Sequence, residues 1–235
     1  MSGTWMLLLL LLAAALPVVA AFFSFRAVKS PVTLSWFLIS LGAGIASILP
    51  AALIQSIFPS PGKGGSYGLG QLFFGVFLRI ALVEEASRLV TLIPLIKAGT
   101  RRLHINSAFG AALGLVAGLG FAVMENAFYG AADIGITLLR AFAAAPLHGA
   151  CGIRAGAAVS LFKERPAKAV YLFVSSVLIH GAYNLMIASP AFPSLLAILT
   201  ALAALFSSLP LIKNAEAEKI NTFSPKSSDK NPTRY

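Results

Sequence analysis

Apolar residues gather in seven long runs, at positions 5–23, 32–58, 69–96, 107–129, 134–162, 169–188 and 194–212. Each is long enough to cross the roughly 30 Å hydrocarbon core of a bilayer as a helix. A helix also satisfies its backbone hydrogen bonds within one segment, as a lipid-facing crossing requires. The pattern predicts an all-α, polytopic transmembrane helical bundle of about seven spans. An eighth, re-entrant or split segment is to be looked for in the long runs 32–58 and 134–162. The breaks carry turn residues: Pro59-Ser60-Pro61-Gly62-Lys63-Gly64-Gly65-Ser66, the turn around Gly130 and Asp133, Pro166, and the uncharged stretch 189–193. No solenoid-like repeat is present, so 1–212 reads as a single bundle domain. The polar segment 213–235, with Pro225 and Pro232, reads as a disordered tail.

The first run has no basic residue before it, whereas Arg26 and Lys29 follow it, which puts the amino terminus outside. A signal peptide competes for this run, because Val18-Val19-Ala20 resembles a cleavage site. Signal peptides begin with a positive region that is missing here, so an uncleaved helix is expected. Seven crossings then bring Arg26, Lys29, Lys97, Arg101, Arg102, Lys163, Arg165, Lys168 and the tail to one side. Of 18 Lys and Arg residues, 13 fall there, Lys63 alone falls opposite, and four lie within runs. That asymmetry predicts a cytoplasmic carboxyl terminus.

Composition agrees with a membrane protein, at 58% hydrophobic and 11% charged residues. The net charge of +10 suggests nucleic acid, but no basic helix or interleaving of aromatic and basic residues is present, so no nucleic-acid partner is expected. The bilayer itself is the expected surrounding. A single cysteine, Cys151, excludes an internal disulfide.

Charge within the runs changes the picture most. Glu84, Glu85 and Arg88 sit in an otherwise apolar stretch. Each charge at the centre of a span opposes insertion by roughly 2.5 to 3.5 kcal/mol, so the three must face a wet or paired interior. Arg88 lies four residues from Glu84 and three from Glu85, within reach of either. Arg79, Arg140 and Arg154 lie nearer span ends and are expected to snorkel. In the fourth run Gly110, Gly114 and Gly118 recur at intervals of four, with Phe121 and Glu125 on the same stripe, which delivers Glu125 into a helix–helix seam. The fifth run carries His148 two residues after Pro146, and the sixth carries His180 and Asn184 one turn apart. Counted along the helices, these side chains fall in one layer. All but the deeper Glu125 lie roughly 15 to 23 Å from the cytoplasmic ends of their runs. Taken singly, each has a plainer reading, as an ion pair between helices, a hydrogen-bonded seam residue or a side chain satisfying a freed carbonyl. His104, in a basic loop, reads as solvated.

Glu84-Glu85-x-x-Arg88, Phe121-x-x-x-Glu125-Asn126, His148 and His180-x-x-x-Asn184 follow one another on successive apolar runs. This ordered set resembles the PrsW family of glutamic-type intramembrane proteases, a relative of the CAAX prenyl endopeptidases and bacteriocin-processing or self-immunity proteins. The resemblance covers residues 84–184. It departs from the family pattern at Arg88, where lysine is usual, and at Asn184, where aspartate is usual and asparagine looks more like the CAAX branch. The resemblance implies an endopeptidase of a bacterial cell membrane that cleaves a membrane-anchored protein or peptide, for example an anti-sigma factor, on the extracytoplasmic side. It also implies a glutamate-activated water, with Glu84, Glu85, Glu125, His148 and His180 catalytic and Arg88, Phe121, Asn126 and Asn184 supporting. Of the adjacent glutamates, family analogy favours Glu84 as the base. Peptide hydrolysis needs a base, oxyanion donors and an acid for the leaving amine, and these residue types supply all three. No His-Glu-x-x-His helix exists, so no cofactor and no metal are expected. Two other functions use similar residues: a proton-coupled transporter or channel, and a non-catalytic membrane scaffold or immunity protein. A transporter would be marked by paired inverted halves, which the sequence lacks.

Overall fold

The computed structural model describes residues 3–58, 68–103, 106–129, 134–189 and 191–213. The turn at 59–66 with Lys63, the turn around Gly130 and Asp133, His104 and the tail from 214 lie outside the described residues.

The first run forms α1 (Gly3–Ala27). The second is split, into α2 (Leu34–Ala46) and α3 (Ile48–Ile57), at Ser47. Pro50 is the physical cause, since its ring conflicts with the carbonyl four residues back, that of Ala46, and it has no N–H to give. Ser47 turns its hydroxyl onto the Gly44 carbonyl at 2.6 Å and so occupies part of the opened backbone. The third run is one continuous rod: α4 (Leu69–Phe73), a π-helical stretch (Phe74–Leu82) and α5 (Val83–Leu103). The rod runs past Ile96, so Lys97, Arg101 and Arg102, expected in a loop, stand on the last turns of α5.

Asn106 accepts from the Phe109 N–H at 3.0 Å and caps α6 (Ser107–Tyr129). α7 (Ile134–Leu161) passes through Pro146 unbroken. α8 (Pro166–Ala188) starts on Pro166, where a missing N–H costs nothing, and α9 (Ser194–Ser208) closes the bundle. Among the described residues there is no strand, and the chain forms an all-α membrane bundle. Segments 8–27, 34–57, 107–128, 166–188 and 194–213 are long and apolar enough to cross a membrane. The rod 69–103 and α7 carry the buried charges and fall short of that apolarity.

α6 and α7 form the centre. The apolar window of α6 is 83% buried, against 22% to 28% in the other four candidate spans. Glycine makes this possible: a Cβ on Gly114 would strike the Gly152 carbonyl, one on Gly152 the Gly114 carbonyl, and one on Gly118 the His148 carbonyl. The two helices therefore meet backbone to backbone. α2 lies across α6 in the same manner, at Gly44 and Gly120. Leu12, Leu49, Leu53, Tyr171 and Leu195 point outward from the peripheral helices, as lipid-facing side chains do.

Candidate active site

α5 sends Glu84, Glu85 and Arg88 to the bundle interior, all three buried. Arg88 pairs with the nearer-spaced Glu85, its Nη1 donating to Oε2 at 2.5 Å. The Arg88 guanidinium also lies 4.9 Å from the centre of the Phe121 ring, and its Nη2 lies 3.2 Å from His148 Nδ1. Glu85 Oε1 takes a hydrogen bond from His180 Nδ1 at 2.8 Å. Glu85 is thus fully engaged between Arg88 and His180. Glu84 is not: its Oε1 accepts from Gln55 Nε2 at 3.1 Å, while its buried Oε2 has no hydrogen-bond partner among the described residues. That oxygen lies 3.6 Å from His180 Nε2, close enough for an ion pair and too far for a hydrogen bond.

The seam between α6 and α7 supplies the rest. Glu125 Oε2 meets His148 Nε2 and Arg140 Nη2, each at 2.7 Å, and Arg140 Nε donates to Asn126 Oδ1 at 3.1 Å. The His148 and His180 rings meet edge to face, 5.1 Å apart, and Phe121 tilts against His148 at the same centroid distance.

These partners fix the protons on the two histidines. A guanidinium only donates, so His148 Nδ1 holds a lone pair and its Nε2 carries the proton given to Glu125. A carboxylate only accepts, so His180 Nδ1 carries a proton, and in the neutral ring Nε2 is left with a lone pair. Two acceptors, Glu84 Oε2 and His180 Nε2, then face each other. Lone pairs at 3.6 Å repel unless a proton, a water or a cation lies with them.

Glu84, His148 and His180 also offer ligand atoms within 4.8 Å of one another. One carboxylate and two imidazoles, with a carboxylate oxygen left without a donor, is a donor set that a hydrolytic divalent cation accepts, so these residues fit a metal provided that His148 frees one nitrogen, Nδ1 from Arg88 or Nε2 from Glu125. His180 has the lone pair ready and is held by Glu85, as metal-bound histidines are by a carboxylate. Glu85, Cys151 and His180 form a second group at similar spacing, but Glu85 is occupied by Arg88.

Every candidate from the sequence except Asn184 joins this network. Asn184 stands one turn beyond His180, half-buried, and its side chain makes no hydrogen bond with a described residue; Glu85, not Asn184, orients His180. Two participants escaped the sequence reading. Gln55 of α3 is a lone amide in an apolar run. Arg140 was expected to snorkel and instead reaches inward to Glu125 and Asn126. Arg79 also turns inward, to the carbonyls of Gln55 and Phe58, and ties α3 to the π-helical stretch.

Residues 30–209 match the family model described as PrsW family intramembrane metalloprotease. The chain belongs to the PrsW family. No curated protein and no solved structure gives a significant match. Membership makes the chain an intramembrane protease, and it agrees with an integral membrane bundle whose buried carboxylates and histidines meet at one place. The matched region contains all the polar partners just described, from Gln55 on α3 to Asn184 on α8, and both departures from the PrsW pattern, Arg88 and Asn184.

Proposed function

We propose that this PrsW family member hydrolyses a peptide bond of a membrane-anchored protein or peptide, with Glu84 as the base that takes the proton of the attacking water. The single observation behind this is the unpartnered, buried Glu84 Oε2 facing His180 Nε2. Glu85 has the opposite role: engaged by Arg88 and His180, it anchors His180 and fixes its tautomer. Gln55 holds the other oxygen of Glu84 and so aims Oε2. The His148 Nε2–H, given to Glu125 at rest, becomes a donor for the developing oxyanion when it shifts off that carboxylate, and Asn184 adds an amide on the same face of α8 as His180. Protonated Glu84 then returns its proton to the leaving amine.

The family description names a metal. Held by Glu84, His148 and His180, a divalent cation would polarise the scissile carbonyl and acidify water. The sequence reading expected glutamate alone. Cleavage that persists in a chelator supports glutamate alone, whereas loss restored by one divalent cation assigns the water to a metal.

We assign seven crossings, counting the rod 69–103 and α7, with the amino terminus outside and the carboxyl terminus cytoplasmic. The 13 to 1 split of basic residues supports this. A carboxyl-terminal phosphatase fusion that works only when exported should stay silent; activity would reverse the assignment. In this orientation the site lies in the non-cytoplasmic half of the membrane, and the cut falls near that face.

The test compares membrane-protein fragments in cells expressing the wild-type chain or Glu84→Gln, Glu85→Gln, Glu125→Gln, His148→Ala or His180→Ala. Glu84→Gln and His180→Ala should insert normally and lose cleavage of a single-span substrate by about 10² to 10⁴. If no fragment depends on either glutamate while a proton or solute flux does, the protease reading fails and a transporter takes its place.

A further inference from the structure

A second buried guanidinium stands outside the active site. Arg154 of α7 is 9% exposed and binds three hydroxyls: Nε to Ser208 at 3.0 Å, Nη1 to Ser175 at 3.0 Å and Nη2 to Ser207 at 2.9 Å. Each serine has already given its own proton to a backbone carbonyl, of Leu172 or of Ala204, so towards Arg154 it is only an acceptor. Hydroxyls satisfy N–H groups but carry no charge. Among the described residues no carboxylate lies within ion-pair distance of Arg154, and two of its five N–H groups are unused by these bonds. A cation in a membrane bundle without a counter-charge is a costly arrangement unless an anion completes it.

The place where an anion would enter is on the same end of the molecule. Arg154 lies two turns before the end of α7, Ser207 and Ser208 close α9, and Ser207 is exposed, so the α7–α8–α9 seam opens beside Nη2. Exposed Lys163, Arg165, Lys168 and Lys213 surround that end, with Glu164 as the acidic residue among them. With α7, α8 and α9 crossing the bilayer as assigned above, this end of the three helices falls at the boundary between hydrocarbon and headgroups, where the abundant anion is the phosphate of a phospholipid.

We propose that Arg154, framed by Ser175 and Ser207, binds the phosphate of an anionic phospholipid in the seam between α8 and α9. A planar guanidinium presents paired donors that match phosphate oxygens, and the basic rim adds charge attraction at the membrane surface. This site does not depend on the proposed proteolysis.

Native mass spectrometry of the full chain, released from detergent with phosphatidylglycerol, phosphatidylcholine or inorganic phosphate, tests it. The wild type should retain phosphatidylglycerol over phosphatidylcholine, and Arg154→Gln should weaken that retention about ten-fold or more, the effect of losing a charge-assisted hydrogen bond. Ser207→Ala, which keeps the guanidinium, should weaken it by a smaller factor and guards against misfolding of the arginine variant. In parallel, phosphatidylglycerol should raise the Tm of the wild type more than that of Ser207→Ala. Equal retention by wild type and both variants overturns the proposal and leaves Arg154 as a strap between helices. Retention of inorganic phosphate in place of the lipid overturns the lipid assignment. So does phosphatidylglycerol binding that appears only after Glu216→Gln/Glu218→Gln, since the tail would then be the occupant.

Discussion

Arg88 and Arg154 are both buried guanidinium groups in one bundle, and their surroundings differ in kind. Arg88 has a carboxylate at 2.5 Å, an imidazole at 3.2 Å and an aromatic face beneath it. Arg154 has three hydroxyls and no described anion. The first is an element of a charge-balanced interior in which each member fixes the next. The second is a cation open to completion from outside. Burial alone therefore does not tell what an intramembrane arginine is for; the charge of its neighbours does.

The largest effect separating the two is on folding. Arg88→Ala leaves Glu85 buried and uncompensated and should lower stability by about 3 to 5 kcal/mol, read as loss of detergent-extracted yield and Tm. Glu84→Gln should stay near wild type, because it removes a charge and keeps the shape. Arg154→Gln should cost less than Arg88→Ala, since the serines it leaves retain their carbonyl partners. Glu85→Ala together with Arg88→Ala should recover part of the loss of Arg88→Ala alone. Equal damage from Arg88→Ala and Arg154→Gln would erase the distinction.

A smaller effect uses the glycine seam, which runs past both sites. Gly118→Ala pushes on the His148 carbonyl beside the Arg88 cluster, and Gly110→Ala meets Ser160 and the Gly156 carbonyl farther along. Each should destabilise by about 1 to 3 kcal/mol. Only Gly118→Ala should also lower the cleavage rate per folded molecule. If Gly110→Ala lowers it as much, the catalytic geometry is spread along the whole seam and not held locally.

The smallest concerns the outer arm of the Arg88 cluster. Gln55→Ala should lower Tm only slightly, because it takes a hydrogen bond from Glu84 but disturbs a helix in which Ala51 is the one buried residue, and should reduce kcat about ten-fold by freeing Glu84 to turn. A normal kcat would show that Glu84 is positioned without α3.

How much of this was legible in the sequence follows from cost. Glu84, Glu85, Arg88, Glu125, His148 and His180 stood out because ionisable groups in apolar runs are expensive, and the structure brings them together. The glycine stripe announced a close helix–helix seam on α6, because small residues at intervals of four have one obvious use, but not that α7 would be the partner. A split was anticipated for run 32–58 from its length, and Pro50 explains where it falls. Gln55 was silent, since one neutral amide adds little to insertion cost. Arg79, Arg140 and Arg154 were all expected to snorkel and instead find partners within the bundle, because distance from a span end does not reveal which way a side chain turns. Asn184 was paired with His180 on helical spacing alone, which puts two side chains on one face but does not say that they touch. Nothing in Phe74–Leu82 marks a π-helical stretch; no residue type encodes one.

The seam of Gly110, Gly114, Gly118, Gly152 and Gly156 has a consequence for how such a chain can change over time. Where two backbones already touch, there is no side chain to exchange, so that part of the molecule has almost no neutral neighbours in sequence space. The outer face of α3 stands at the other limit, exposed and joined to the cluster by a handful of polar contacts through half-buried Gln55 and Arg79. Substitutions can therefore accumulate on the outer face of α3 while Glu125 and His148 stay in register, which makes the periphery the variable partner and the glycine seam the fixed one.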